Sequence, residues 1–378
     1  VNGPSIEGHA WVEVDLDALA RNARTLSRRA GVPLLPMVKA DAYGLGVVPV
    51  VRALEPLDPW GYGVATIAEG IAIRASGVTR PIVVFTPQLP AAYGALRAAS
   101  LTPSLGTADE IAAWDRGGPW HLAIDTGMHR AGIRWDAVGP LAAALTTDPP
   151  EGAYTHLHSA ELADGSAAVQ VTRFREALAA MPARPAVLHV ENSPAVERLT
   201  GRSDWSCVRP GLFLYGVGTG GGLAPEPVVR LLAAVVQLRT VRAGESVGYD
   251  ATYIAPTTRR VATLAAGYGD GYRRALSGVG RVRIGDHDVQ ILGTVTMDMC
   301  MVDVTDVPCA VGDRATLIGG GAPGDGPSVA AVAARAGLSP YEVLVGLALR
   351  APRTYAGGGR GHPRAVAGYA MGADEGGS

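Results

Sequence analysis

The chain has 378 residues, 48% of them apolar, and its 33 Lys+Arg nearly balance 35 Asp+Glu. That composition excludes a disordered chain and gives no reason to expect nucleic acid or an anionic membrane as a partner. No window approaches the roughly eighteen uninterrupted apolar residues of a membrane helix, and the length suits two domains with a large core.

Val1 to His9 is polar without an apolar stretch, so no signal peptide is expected. Three cysteines, Cys207, Cys300 and Cys309, have no metal-ligand spacing. They read as reduced thiols of a cytoplasmic protein, and no metal is expected.

Trp11 to Val14 alternates as a strand, and Asp15 or Asp17 can cap a helix beginning near Ala18. Pro33 to Val38 is a short apolar strand that ends at Lys39. Gly44 and Gly46 then break the pattern before a helix opens at Val47. A rhythm follows. Strand-like runs at Trp60–Ala65, Pro81–Phe85, Leu101–Leu105, Trp120–Asp125, Ala153–Leu157 and Ala186–Val190 alternate with Ala-rich helical stretches, and Cys207 to Arg209 closes the series.

Counted from the lysine strand, these are eight strand–helix units, as in a (β/α)8 barrel. Short apolar strands without alternation suit a parallel sheet buried on both faces. A doubly wound sheet is the competing architecture. The barrel is preferred because Lys39, Asp125, His156, Asn192 and Arg209 fall at or just past strand ends, where barrel enzymes keep their sites.

Beyond Glu226 the period changes. Short apolar runs at Val228–Arg242, Val261–Ala266, Val289–Val295, Met299–Val304 and Arg314–Ile318 are separated by Gly, Pro and Asp, which predicts a mainly-β domain. Helices are expected over Val329–Ala336, capped by Ser328, and Pro340–Leu349. The domain reading is 11–226 for the barrel, 227–356 for the β domain, and 357–378 for a disordered Gly-rich tail.

Lys39 is the first chemical candidate. A lysine at a strand end among apolar neighbours has a depressed pKa and can act as a Schiff-base nucleophile, although a lone lysine there is more often simply solvated. Asn192-Ser193 opens a helix and Gly211-Leu212 follows the last strand. Both can present N–H groups to a phosphate, and Asn192 also reads as an ordinary cap.

The run Val38-Lys39-Ala40-Asp41-Ala42-Tyr43-Gly44-Leu45-Gly46 resembles the pyridoxal-phosphate attachment motif of alanine racemases. The segments Asp125-Thr126-Gly127-Met128-His129-Arg130, Thr155-His156-Leu157, His189-Val190-Glu191-Asn192-Ser193, Val208-Arg209-Pro210-Gly211-Leu212, Gly244 to Asp250, Gly267 to Gly271, Thr296 to Met301 and Arg350-Ala351-Pro352-Arg353 are similar to that family's motifs, in the same order. The resemblance runs from about Trp11 to Tyr355.

The resemblance implies a pyridoxal 5'-phosphate enzyme that interconverts L- and D-alanine and supplies D-alanine for peptidoglycan. Lys39 would carry the cofactor, and Tyr43, Asn192, Ser193, Gly211 and Leu212 would hold its phosphate. His156 would pack beside the ring. Arg209, oriented by His189, would donate to the ring nitrogen and leave it unprotonated, which weakens the electron sink and suppresses transamination. Arg130 and the backbone of Met297 would bind the substrate carboxylate, with Tyr268 and Asp298 in support near the entrance. Lys39 and Tyr249 would be the two bases, the tyrosine coming from the other subunit of a homodimer.

Two positions depart from the family. Ala123 stands where many members carry a carbamylated lysine that holds the arginine, so Arg130 must be held otherwise. Leu349 replaces a tyrosine often found near the phosphate and lysine. These departures keep a broader or serine racemase as an alternative, and a non-catalytic cofactor-binding protein as a more distant one. His121 and His158 read as structural.

Overall fold

The computed structural model describes residues 9–322, 324–347 and 349–358, which form two compact units. One consists of Leu19–Ala42 and Val47–Glu226. The other takes the described parts of Val1–Ala18, Tyr43–Gly46 and Pro227–Ser378.

In the first unit the strands Tyr62–Val64, Ile82–Val84, Thr102–Leu105, His121–Asp125, Gly152–Tyr154 and Val187–His189 pair in parallel in that order. All six are buried on both faces, which explains their unalternating apolar sequences. Parallel bridges Met37↔Gly63, Leu34↔Val208 and Asn192↔Arg209 join the lysine segment and the Arg209 segment to the two ends of this sheet, closing the ring. The unit is therefore the expected (β/α)8 barrel. Its first and eighth strands consist of isolated bridges because Pro33, Pro36 and Pro210 have no N–H for a ladder.

Helices run where periodicity placed them. Ile67–Ala75 and Ala108–Trp114 each begin with a capping box, Thr66 with Glu69 and Thr107 with Glu110. After the His121–Asp125 strand the helical stretch is a 3-10 turn, Gly139–Leu141, followed by Ala142–Thr147, since Pro140 needs a first-turn position.

In the second unit, strand Val229–Val241 pairs with both Arg314–Ile318 and Arg259–Leu264. The sequence of pairings through Cys300–Asp303, His287–Leu292 and Arg281–Ile284 closes an antiparallel barrel. Trp11–Asp15, assigned from sequence to the barrel domain, belongs here. It pairs antiparallel with Val229–Val241 and parallel with Arg353–Ala356. The cue was in its pattern, because its residues alternate between buried and half-buried, unlike the doubly buried strands of the parallel ring. Helices Val329–Ala336 and Pro340–Gly346 are capped by Ser328 and Ser339. Gly358 N–H bonds Asp17, and the rest of the predicted tail lies outside the described residues. No helix among the described residues is long and apolar enough to cross a membrane.

The parallel ring is filled by side chains from distant strands. Leu35, Val83, Val187 and Cys207 form one buried cluster, with Trp60 and Phe85 packed against it. Leu35→Ala should leave a cavity there and lower stability by about 2–5 kcal/mol in urea unfolding. A loss below about 1 kcal/mol would mean the ring is not packed as a closed interior.

Candidate active site

Lys39 follows the last paired residues of its strand, where Val38 N–H bonds Gly63 O at 2.9 Å. The chain then enters a left-handed turn. Ala40 (φ 53°, ψ 50°), Asp41 (54°, 48°) and Ala42 (54°, 54°) are followed by Tyr43 at φ 56°. Sequence reading expected a loop here. Left-handed backbone costs about 1–2 kcal/mol per non-glycine residue, so the turn must be held from outside. Ala42 N–H bonds Val38 O at 2.9 Å, Asp41 Oδ1 accepts from Val47 N–H at 2.7 Å, and Glu69 Oε1 accepts from Ala40 N–H at 2.7 Å. Burial lowers the Lys39 amine below its usual pKa and the Arg130 charge lowers it further, while Glu69 pulls it back up.

Arg209 is buried, 3% exposed, and has no carboxylate partner among the described residues. Its Nη1 donates to His189 Nδ1 (2.7 Å) and His189 O (2.6 Å), and its Nη2 to Thr155 O (2.6 Å) and Val190 O (3.1 Å). Guanidinium only donates, so His189 Nδ1 is an acceptor and its proton sits on Nε2. That proton points at His121 Nδ1, 2.8 Å away, which places the His121 proton on Nε2, 3.8 Å from Glu151. The His189 ring is stacked on Tyr154 at 5.1 Å and 8°. With four donations made, the Nε–H of Arg209 has no acceptor among the described residues. Burial lowers the Arg209 pKa to about 10.

His156 is pushed down to about 3, first by burial and then by the charges of Arg209, Arg130 and Lys39. Three cationic side chains thus act on one neutral imidazole, an arrangement suited to an anionic ligand. Asn192 caps the helix Ser193–Glu197, accepting from Ala195 N–H at 3.2 Å. Ser193 Oγ accepts from Gly211 N–H at 2.9 Å and Phe213 N–H at 3.4 Å, so its own proton remains available to donate. Leu212 opens the 3-10 turn Leu212–Tyr215, whose Tyr215 hydroxyl donates to Met37 O at 2.8 Å.

Asp125 accepts from the N–H groups of Gly127, Met128 and His129. Burial works against its ionisation, but those donors and His129 hold the carboxyl below its usual pKa. This folded loop leads to Arg130, which is exposed and has no hydrogen bond or ion pair among the described residues. Ala123 is buried on the strand behind it.

The second unit holds the remaining candidates. Tyr43 is buried, its ring 5.8 Å from that of Tyr341, and burial raises its pKa. Tyr249 begins the 3-10 turn Tyr249–Ala251 after Gly248 (φ 79°) and is 68% exposed. Tyr268, Met297 and Asp298 lie on two loops that Arg350 ties together. Arg350 makes a bidentate pair with Asp270 (2.9 and 3.1 Å), bonds Asp298 at 2.7 Å, and reaches Met297 O at 3.3 Å. Tyr268 N–H bonds Thr296 O and Gly269 N–H bonds Met297 O, both at 2.9 Å. Leu349 is 48% exposed.

Sequence reasoning missed the roles of Glu69, His121 and Asp270. Glu69 had a local signal in the Thr66–Glu69 spacing, but nothing in the chain announced its reach to Ala40. His121 looks like any strand histidine until His189 is placed beside it.

The histidines give a pH signature. His121 and His189 are fully buried and, like His156, have pKa values lowered first by burial. Each stays neutral in the folded chain while its unfolded counterpart takes up a proton near pH 6.5. Stability should therefore fall as pH drops below about 6.5, continuing to about 3 for His156. Urea midpoints at about pH 7.5 and about pH 5, with imidazole resonances followed by NMR, check this. Ring resonances of these three that titrate near pH 6.5 would contradict it.

The comparisons with known proteins agree with this geometry. Residues 14–219 match the alanine racemase N-terminal domain and residues 228–355 the alanine racemase C-terminal domain. Alanine racemase of Geobacter sp. (strain M21) is 36% identical over 368 residues, covering 90% of this chain and 97% of that protein. That of Deinococcus radiodurans is 38% identical over 351 residues, covering 91% and 98%. The crystal structure of alanine racemase from Bacillus anthracis with bound L-Ala-P superposes with a TM-score of 0.86 at 29% identity, over 96% of this chain and 98% of that one. The Bartonella henselae alanine racemase with covalently bound pyridoxal phosphate gives 0.85 at 28%, over 93% and 100%. Domain order, relatives and fold agree: the chain belongs to the alanine racemase family.

Proposed function

We propose that this chain interconverts L- and D-alanine using pyridoxal 5'-phosphate, and so supplies D-alanine for peptidoglycan. The observation that carries the reading is the buried Arg209, whose Nε–H is left over after four donations and which makes no ion pair with a carboxylate among the described residues. A site that protonated the ring nitrogen would place an acid there. One that held it unprotonated needs a permanent donor, which guanidinium is.

When bound, the cofactor draws electron density away from the substrate α-carbon. The chain's residues do the rest. Lys39 anchors the cofactor, and its amine, its pKa lowered by burial and by Arg130, exchanges a proton on one face of the α-carbon. Tyr249 serves the opposite face. Lys39 is the base on the D-alanine side and Tyr249 on the L-alanine side. Arg130 and the Met297 backbone hold the substrate carboxylate, and Tyr268 and Asp298 frame the approach. Tyr43, Asn192, Ser193, Gly211 and Leu212 hold the phosphate, the Ser193 hydroxyl proton being free for that bond. His156, kept neutral by burial, would flank the cofactor ring, and His189 fixes Arg209.

Tyr249 works from a second copy of the chain in a homodimer. Its 68% exposure, with Met297 at 52% and Met299 at 44%, supports a partner covering this face. So does the open groove of about 900 Å³ lined by Thr240, Val247, Tyr249, Thr263, Met299 and Met301. Three free buried cysteines suit the cytoplasm. A broader amino-acid racemase is the second reading, favoured by Ala123 and Leu349, which depart from the family where its side chains hold the arginine and lie near the phosphate and lysine. The intact Tyr249 turn speaks against a non-catalytic binder.

Purified protein with added cofactor should produce D-alanine from L-alanine. Lys39→Ala should abolish this, and Tyr249→Phe should reduce it by at least about a hundredfold. Cofactor uptake by wild-type protein that leaves alanine's handedness unchanged, while another amino acid is racemised, would overturn the substrate assignment.

A further inference from the structure

We propose that Glu69 is a positioning residue for Lys39: its carboxylate bonds the Ala40 N–H, fixes the left-handed turn, and so sets the direction in which the Lys39 amine leaves its strand. The inference rests on the reading of Lys39 as the cofactor-binding residue.

The two Thr-x-x-Glu capping boxes in the first unit provide an internal comparison. Glu110, in the box with Thr107, accepts from Gly106 N–H at 2.6 Å and Thr107 N–H at 3.0 Å, both through Oε2. Glu69 makes the same pair of bonds through Oε2, to Ala65 N–H at 2.8 Å and Thr66 N–H at 3.1 Å. Its Oε1 then does something Glu110 does not, accepting from Ala40 N–H at 2.7 Å, 29 residues away in sequence. Capping needs only the first oxygen. The second is committed to the turn after Lys39.

That bond falls where it controls the lysine. The Ala40 N–H lies in the Lys39–Ala40 peptide plane, so anchoring it fixes ψ of Lys39. Ala40 is also the first residue of the left-handed run, at φ 53°. An alanine leaves this conformation readily once the anchor is lost, and the lysine's exit angle changes with it. The carboxylate also supplies negative charge. Arg130 lowers the Lys39 pKa, Glu69 raises it, and Lys39 in turn acts on His156, so the Glu69 charge opposes that of Arg130 at the amine.

The test is the pH dependence of cofactor capture by the full-length chain stripped of pyridoxal phosphate. Capture is trapped with borohydride and mapped to Lys39 by peptide mass. In Glu69→Gln one oxygen becomes an NH2 that cannot accept. The midpoint of the capture profile should move down by about half to one pH unit, because a neighbouring negative charge is lost. The plateau rate should fall about tenfold, because the amine is misaimed. Glu69→Asp keeps the charge but cannot span both partners, so it should lower the plateau with a near wild-type midpoint. Thr66→Ala removes only the cap hydroxyl, and it should lose thermal stability with an unchanged profile.

If the Glu69→Gln and Glu69→Asp profiles superimpose on wild type while their melting temperatures fall as in Thr66→Ala, Glu69 is a helix cap and the proposal is wrong. If wild-type protein traps no cofactor on Lys39, the cofactor reading itself fails and this inference falls with it. The two failures are told apart by the wild-type trace.

Discussion

A buried guanidinium that makes no ion pair among the described residues is the constraint around which the parallel barrel is arranged. Bringing a charge out of water costs several kcal/mol unless its donors are satisfied. Arg209 is satisfied by the carbonyls of Thr155, His189 and Val190 and by one imidazole nitrogen. Those acceptors come from neighbouring strand ends, so the arginine can be held only if the ring is closed and in register. The same constraint dictates proton positions. Because arginine cannot accept, His189 must, and His121 must follow. Burial and the nearby positive charge then keep both rings neutral.

The strained turn after Lys39 complements this rigid centre. A right-handed continuation would have been the easier path for Ala40-Asp41-Ala42. The chain instead takes a left-handed turn, stabilised by Glu69, Asp41 and the Val38 carbonyl. Such strain persists only where the surroundings over-determine it. Here they fix the peptide next to the reactive amine. Arg209 and Lys39 are therefore both placed by backbone geometry at strand ends, and neither position depends on a long flexible loop.

The ring of parallel strands was legible because each strand is short, apolar and buried on both faces, and because polar residues recur at the strand ends. The β domain was legible as a change of period after Glu226. Trp11–Asp15 precedes the barrel in chain order yet belongs to the β unit, and its alternating pattern is that of a strand with one buried face. At the site, Lys39 and Arg209 could be singled out by motif. The bond from Glu69 to Ala40, the His121–His189 contact and the Arg350–Asp270 pair could not, since each joins segments 29, 68 and 80 residues apart respectively. Local spacing carries information over one or two helical turns, and contacts of that range are set by how strands are ordered in the sheet.

The two departures from the family fall on one side of the chemistry. Ala123 leaves Arg130 exposed and unpaired among the described residues, and Leu349 places an exposed aliphatic side chain where a hydroxyl is usual. The Lys39 turn and Arg209 are thus fixed by hydrogen bonds, while Arg130, proposed to grip the substrate carboxylate, makes none among the described residues. An unpaired arginine pays more side-chain entropy when it closes on a carboxylate than one already held in place. Binding should weaken from that cause before the proton-transfer step does. The same slack lets the guanidinium follow a larger amino acid. On this argument, any broadening of substrate range enters through Arg130 and Leu349, with the acid–base pair unchanged.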